Sequence, residues 1–126
     1  MKRVTGIGGI FFKAKDQPKL LEWYEKHLGI KADPNYGTAF EWREKDDPQK
    51  EGMTAWSLFK DESKYFQQPF MVNYRVDDLD ALLEALQAEG VEIDPKRDSH
   101  EFGKFAWIID PEGNRIELWE PPKSGS

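Results

Sequence analysis

The 126-residue sequence contains no cysteine, which excludes disulfides, thiolate metal sites and cysteine nucleophiles. Histidine is scarce: His27 and His100 are the only two, so a site built mainly on imidazole is not available. No uninterrupted apolar run approaches the roughly 20 residues that cross a bilayer as a helix. Basic excess is missing as well, with 18 Lys and Arg against 24 Asp and Glu and a net charge of −6. That balance argues against nucleic acid or an anionic membrane as partner, because both reward a basic surface. The opening Met1-Lys2-Arg3 runs into glycines and then into Lys13 and Lys15, unlike a signal peptide. The expectation is a soluble cytoplasmic protein.

What is present is aromatic. A mean hydropathy of −0.79 with 33% charged residues would suit a disordered chain. The 13% of Phe, Trp and Tyr answers this, since each large ring buries much area. The length suits one domain.

The chain repeats itself, and the repeat organises everything else. Residues 10–34, IFFKAKDQPKLLEWYEKHLGIKADP, slide onto residues 72–95, VNYRVDDLDALLEALQAEGVEIDP, with one gap. Asp16 meets Asp78, Leu20-Leu21-Glu22 meets Leu82-Leu83-Glu84, Gly29 meets Gly90, and Asp33-Pro34 meets Asp94-Pro95. AWSLFK at 55–60 lines up with RIELWE at 115–120. Two modules follow, about 1–60 and 70–122, joined by a linker at 61–69 within one domain of residues 1–122. The end of the chain, 123–126, is set aside as a tail, with Ser124-Gly125-Ser126 a candidate vector-derived remnant.

Each module reads as βαβββ. A strand at 4–14 or 70–76 leads into an amphipathic helix at about 17–28 or 79–89. Leu20, Leu21, Tyr24 and Leu28 share one face of the first helix, and Leu79, Leu82, Leu83 and Leu86 share one face of the second. Asp16 and Asp77 or Asp78 suit the N-caps, and Gly29 and Gly90 the positions just past each end. Three strands then follow: a short one near 30–33 or 91–94, then 37–43 or 103–110, then 53–60 or 114–120. One helix covers one face of a sheet, so the other face needs a partner. The expected architecture is α+β, two tandem modules whose mixed sheets curl into a cupped, barrel-like pocket, a suitable place for a small ligand.

Strand alternation assigns the pocket-facing side chains. Met71, Asn73 and Arg75 face inward on one strand, and Arg115, Glu117 and Trp119 on another. In the first module Ala55, Ser57 and Phe59 face inward, with Ile7, Gly9, Phe11 and Lys13, and the small Gly8 and Gly9 are expected to open volume opposite the polar groups Asn73, Arg75, Glu117 and Ser57. Tyr65 and Phe66 in the linker need cover, either over the pocket or in a subunit contact. His100 reads as a solvated loop residue.

The tandem repeat, and most specifically RVDDLDALLEALQAEGVEI (75–93) and FAWIIDPEGNRIELWEP (105–121), resembles the vicinal oxygen chelate superfamily. That group includes glyoxalase I, bleomycin-resistance proteins and extradiol dioxygenases. The resemblance implies four metal-ligand positions, which fall here on Gly9, Ser57, Met71 and Glu117, and it implies a homodimer. This set departs from the family pattern, because Gly9 has no side chain, Met71 is a soft thioether and Ser57 is a poor ligand for such ions. No cofactor is therefore expected, with a divalent metal as the minority alternative.

The expected function is binding of a small aromatic or carboxylate-bearing molecule by Phe11, Ser57, Phe59, Met71, Asn73, Arg75 and Trp119. Glu117 is the candidate catalytic residue, a carboxylate partly desolvated beside Trp119 and raised in pKa toward acid or base work. A salt bridge from Glu117 to Arg75 or Arg115 is the structural alternative. Two enzyme alternatives remain open: a metal-independent lyase or isomerase using Glu117, and a metal-dependent glyoxalase- or dioxygenase-like enzyme.

Overall fold

Two aspartates set where the helices begin. Asp16 accepts a hydrogen bond from the Lys19 N–H at the start of α1, Gln17–Leu28, and Asp78 accepts one from Ala81 at the start of α2, Leu79–Ala88. Each cap satisfies a donor that the first turn leaves unpaired. Of the two acids before α2, Asp78 is the cap. Gly29 ends α1 in the left-handed conformation, φ 70°.

The computed structural model describes residues 2–123, so the Ser124-Gly125-Ser126 tail lies outside the described residues. Seven strands accompany the helices: β1 Val4–Ala14, β2 Thr38–Arg43, β3 Glu51–Lys60, β4 Phe70–Val76, β5 Glu92–His100, β6 Gly103–Ile109 and β7 Arg115–Glu120. The architecture is mixed α+β. The chain forms two compact units, one of Gly9–Met71 and one of Val72 onward with the residues up to Gly8. The linker at 61–69 thus belongs to the first of these.

In the Gly9–Met71 unit the strand order is β2-β3-β1. β2 and β3 are antiparallel and β1 runs parallel to β3, with Phe12 opposite Leu58 and Phe11 opposite Ser57. Ala14, Trp56 and Leu58 form the core, with Phe12, Leu20, Leu21 and Tyr24 packed against them. Leu28, expected on the packed face of α1, is instead exposed.

The short strand expected near 30–33 is not formed. Asp33 turns the chain instead: its carboxylate accepts the N–H groups of Asn35 and Tyr36. What remains is a single bridge between Asp33 and Gly37. Gly37 closes this turn at φ 73°, and a Cβ there would strike the Trp56 carbonyl, so only glycine fits.

In the other unit the order is β4-β7-β6-β5, with the start of β1 beside β4. β4 and β7 are parallel, while β6 is antiparallel to both its neighbours. Here the strand expected to be short extends over all of β5, interrupted by a bulge between Ile93 and Arg97. His100 is therefore the last residue of a strand and not part of a loop. The core combines Val76, Leu79, Leu82, Leu83, Ala106 and Leu118. Leu82 is 3% exposed, so Leu82→Ala should cost about 2–5 kcal/mol of stability in urea unfolding. Phe40→Ala, at a half-exposed side chain, should change it by no more than about 0.5 kcal/mol.

Candidate functional site

Because successive strand residues alternate faces, committing Tyr74, Val76, Ala106, Ile108, Ile116 and Leu118 to the α2 core commits their neighbours to the opposite face. Three of those neighbours fall in one row. Asn73 of β4 lies opposite Glu117 of β7, and Glu117 lies opposite Trp107 of β6. All three are buried, Asn73 and Glu117 to 2% exposure and Trp107 to 1%.

A carboxylate withdrawn from water needs donors in return. Glu117 finds two. The Asn73 side-chain amide donates to Oε1 at 2.6 Å and the Trp107 indole N–H to Oε2 at 3.0 Å. An ionised carboxylate only accepts, and both partners offer N–H groups, so the chemistry of the row is matched.

A charged layer backs Trp107. The Lys96 ammonium lies 5.2 Å and the Arg115 guanidinium 5.3 Å from its ring centroid, both within cation–π range. Arg115 is held in turn by Asp94 at 2.7 Å. That bond, with help from the Lys96 backbone N–H, holds the Asp94 carboxyl below its ordinary value. The Arg115 guanidinium anticipated as a partner for Glu117 is thus engaged with Asp94. Arg75 is also buried, and its backbone carbonyl accepts from the Thr5 hydroxyl.

Along the same face the rings of Trp119, Phe105 and His100 stack in sequence, with centroids 6.3 Å and 5.1 Å apart. Trp119 donates its indole N–H to the Phe102 carbonyl at 2.8 Å. His100 accepts the Phe102 N–H at Nδ1.

From β1, Gly8 and not Gly9 meets this row: a Cβ on Gly8 would overlap the Asn73 side-chain oxygen. Asn73, Arg75, Glu117 and Trp119 thus share the face opposite α2. Trp107 had not been singled out. Trp107 sits in an apolar run that lacks alternation, and only its register across the Asp110-Pro111-Glu112-Gly113-Asn114 turn reveals it. Counting back from Glu117 through that hairpin reaches Trp107.

In the Gly9–Met71 unit, the β1–β3 register puts Phe11 beside Ser57 and Lys13 beside Phe59. Phe59 is contacted by Phe11, by Tyr65 stacked at 5.5 Å and by Phe66 at 5.2 Å. The linker rings thus find their cover within this unit, where Phe66 is 1% exposed beneath the Lys13 ammonium. Met71 is equally buried.

Among the described residues there is no group of three or more His, Cys, Asp or Glu placed to hold a metal ion. A separate cleft of about 610 Å³ opens at the start of α2, lined by Asp77, Asp78, Asp80, His100, Lys104 and Glu120 among others. Its acids already serve the fold. Glu120 accepts the Leu79 N–H at 2.8 Å, Asp78 caps α2, and Asp80 pairs with Lys104 and Arg97.

A sequence profile of the Glyoxalase/Bleomycin resistance protein/Dioxygenase superfamily matches residues 6–118. No curated protein sequence matches significantly. Among solved structures, methylmalonyl-CoA epimerase from Mycobacterium tuberculosis is similar at 21% identity and TM-score 0.63, covering 98% of this chain and 92% of that one. A variant of the Streptomyces coelicolor methylmalonyl-CoA epimerase, in complex with 2-nitronate-propionyl-CoA, aligns at 16% identity and TM-score 0.67, over 98% of this chain and 99% of that one. The Mn(II)-bound glyoxalase from Novosphingobium aromaticivorans aligns at 18% identity and TM-score 0.62, over 95% of this chain and 40% of that one. At these identities the likeness is one of fold.

Carboxylates held by hydrogen bonds and ion pairs in this unit make stability depend on pH. Asp94 is lowered chiefly by its bond to Arg115, Asp80 by Lys104, and Asp110 by the Asn114 side chain. A carboxyl lowered in the folded state adds stability that is complete above the ordinary value of 3.8 and is lost as pH falls through the lower folded value. The urea midpoint should therefore drop as pH falls below about 4. Asp94→Asn should flatten part of that drop, and an unchanged acid limb would contradict the assignment.

Proposed function

The chain belongs to the glyoxalase/bleomycin resistance protein/dioxygenase superfamily, and from that premise we propose that it binds a small molecule without a catalytic divalent ion. The ligand is a small aromatic or carboxylate-bearing molecule taken against the face that carries Asn73, Arg75, Glu117 and Trp119. Trp119 offers a ring for stacking, and Arg75 offers a guanidinium suited to bidentate contact with a carboxylate.

The observation that carries this reading is the engagement of Glu117. Both of its oxygens already accept hydrogen bonds from Asn73 and Trp107. Gly9, Ser57 and Met71 supply no carboxylate or imidazole to join it. A catalytic ion usually takes about three nitrogen or oxygen ligands from the protein, and this donor set does not fit one.

A second reading is favoured by the same row. A buried carboxylate held at a fixed angle by two donors is suited to proton transfer, which needs no metal. In that case the protein is a lyase or isomerase with Glu117 as acid or base and with Arg75, on the same face, stabilising negative charge. Turnover that disappears in Glu117→Ala separates this enzyme from a binder, whose affinity alone would change. We further propose that the protein acts as a homodimer in the cytoplasm.

Calorimetric titration of chelator-stripped protein with Mn, Fe(II), Co, Ni and Zn should show no tight stoichiometric binding. Tight binding that vanishes in Glu117→Ala would overturn the metal-free reading. Sedimentation of the same preparation should give twice the chain mass of 14.7 kDa, and a species at the chain mass would contradict the dimer.

A further inference from the structure

We infer that Gly8 is a positioning residue: the absence of a side chain there makes the room in which Asn73 stands to hold Glu117. The inference rests on the reading of Glu117 as the functional group of the site.

Asn73 can turn its amide two ways, and the carboxylate decides between them. Glu117 accepts only, so the amide nitrogen faces Oε1, at 2.6 Å. The amide oxygen then faces away, into the space where a side chain on residue 8 would stand. It is buried there without a hydrogen-bond partner, a costly arrangement that calls for a reason.

The backbone does not require glycine at this position. Among the described residues five glycines have positive φ, and Gly8 is not among them. Space requires it. A Cβ on residue 8 would overlap the Asn73 oxygen and sit 2.9 Å from the Trp119 ring. Asn73 is 2% exposed, so retreat from such a methyl carries its nitrogen away from Glu117. A carboxylate that loses one donor shifts against those that remain, and Trp107 is one of them.

This makes the Trp107 indole N–H a reporter that needs no ligand. The chain has five Trp, so the indole ¹H–¹⁵N signal of Trp107 is first identified by its loss in Trp107→Phe. Gly8→Ala should then move that signal in the same direction as Asn73→Ala. The double variant should move it no further than Asn73→Ala alone. It should also recover part of the melting temperature lost in Gly8→Ala, because removing the amide clears the nearer clash and leaves only the Trp119 ring for the methyl to displace.

An unmoved signal in folded Gly8→Ala, or shifts that add in the double variant, would overturn the inference. If Gly8→Ala does not fold, folding of the double variant supports it, and failure of both overturns it. Metal or ligand titration tests the functional reading separately, so either can fail alone.

Discussion

A carboxylate taken out of water must be met by donors, or the fold loses several kcal/mol. Glu117 is such a group, and much of its unit is arranged around it. Two of its partners come from strands on either side at the same level, Asn73 from β4 and Trp107 from β6. That placement depends on register: a slip of one residue on either strand would turn the donor toward α2 and bring an apolar side chain to the carboxylate. The hydrophobic core under α2 and the polar row on the opposite face are therefore two consequences of one alignment.

The two halves of the repeat use the same pattern differently. At the position where the second half carries Glu117, the first carries Ser57. Around Ser57 the unit has become aromatic, with Phe11, Tyr65 and Phe66 all contacting Phe59. Around Glu117 the unit has kept a polar row backed by cations, with Lys96 and Arg115 over Trp107.

Both helices and most strands were legible because their physical signals are strong: leucines at helical spacing, aspartate caps and alternation in FMVNYRV and RIELWE. The first half lost its third strand because the Asp33 carboxylate captures two backbone N–H groups and closes a turn, which a strand pattern cannot anticipate. β5 was undervalued for the opposite reason. Its EIDPKRDSH segment is polar and contains Pro95, yet Pro is tolerated at a bulge on an edge strand, and β5 lies at the edge of the strand order. Asn73 and Glu117 could be placed from alternation alone. Trp107 could not, because FAWII is apolar on both faces and only pairing with β7 distinguishes one from the other. Gly8 and Gly9 were both read as a source of space opposite the polar groups, but that Gly8 alone lies against Asn73 was not, since no one-dimensional pattern tells which side chain stands over a given glycine.

The central claim is that Glu117 and Trp107 act as a coupled pair. A double-mutant cycle in urea unfolding, combining Trp107→Phe with Glu117→Leu, tests it most directly. A hydrogen bond to a charged group predicts a coupling of about 1.5–3 kcal/mol. Single-variant losses that add to within about 0.5 kcal/mol would show that the two side chains are merely neighbours, and the account of this site would not stand.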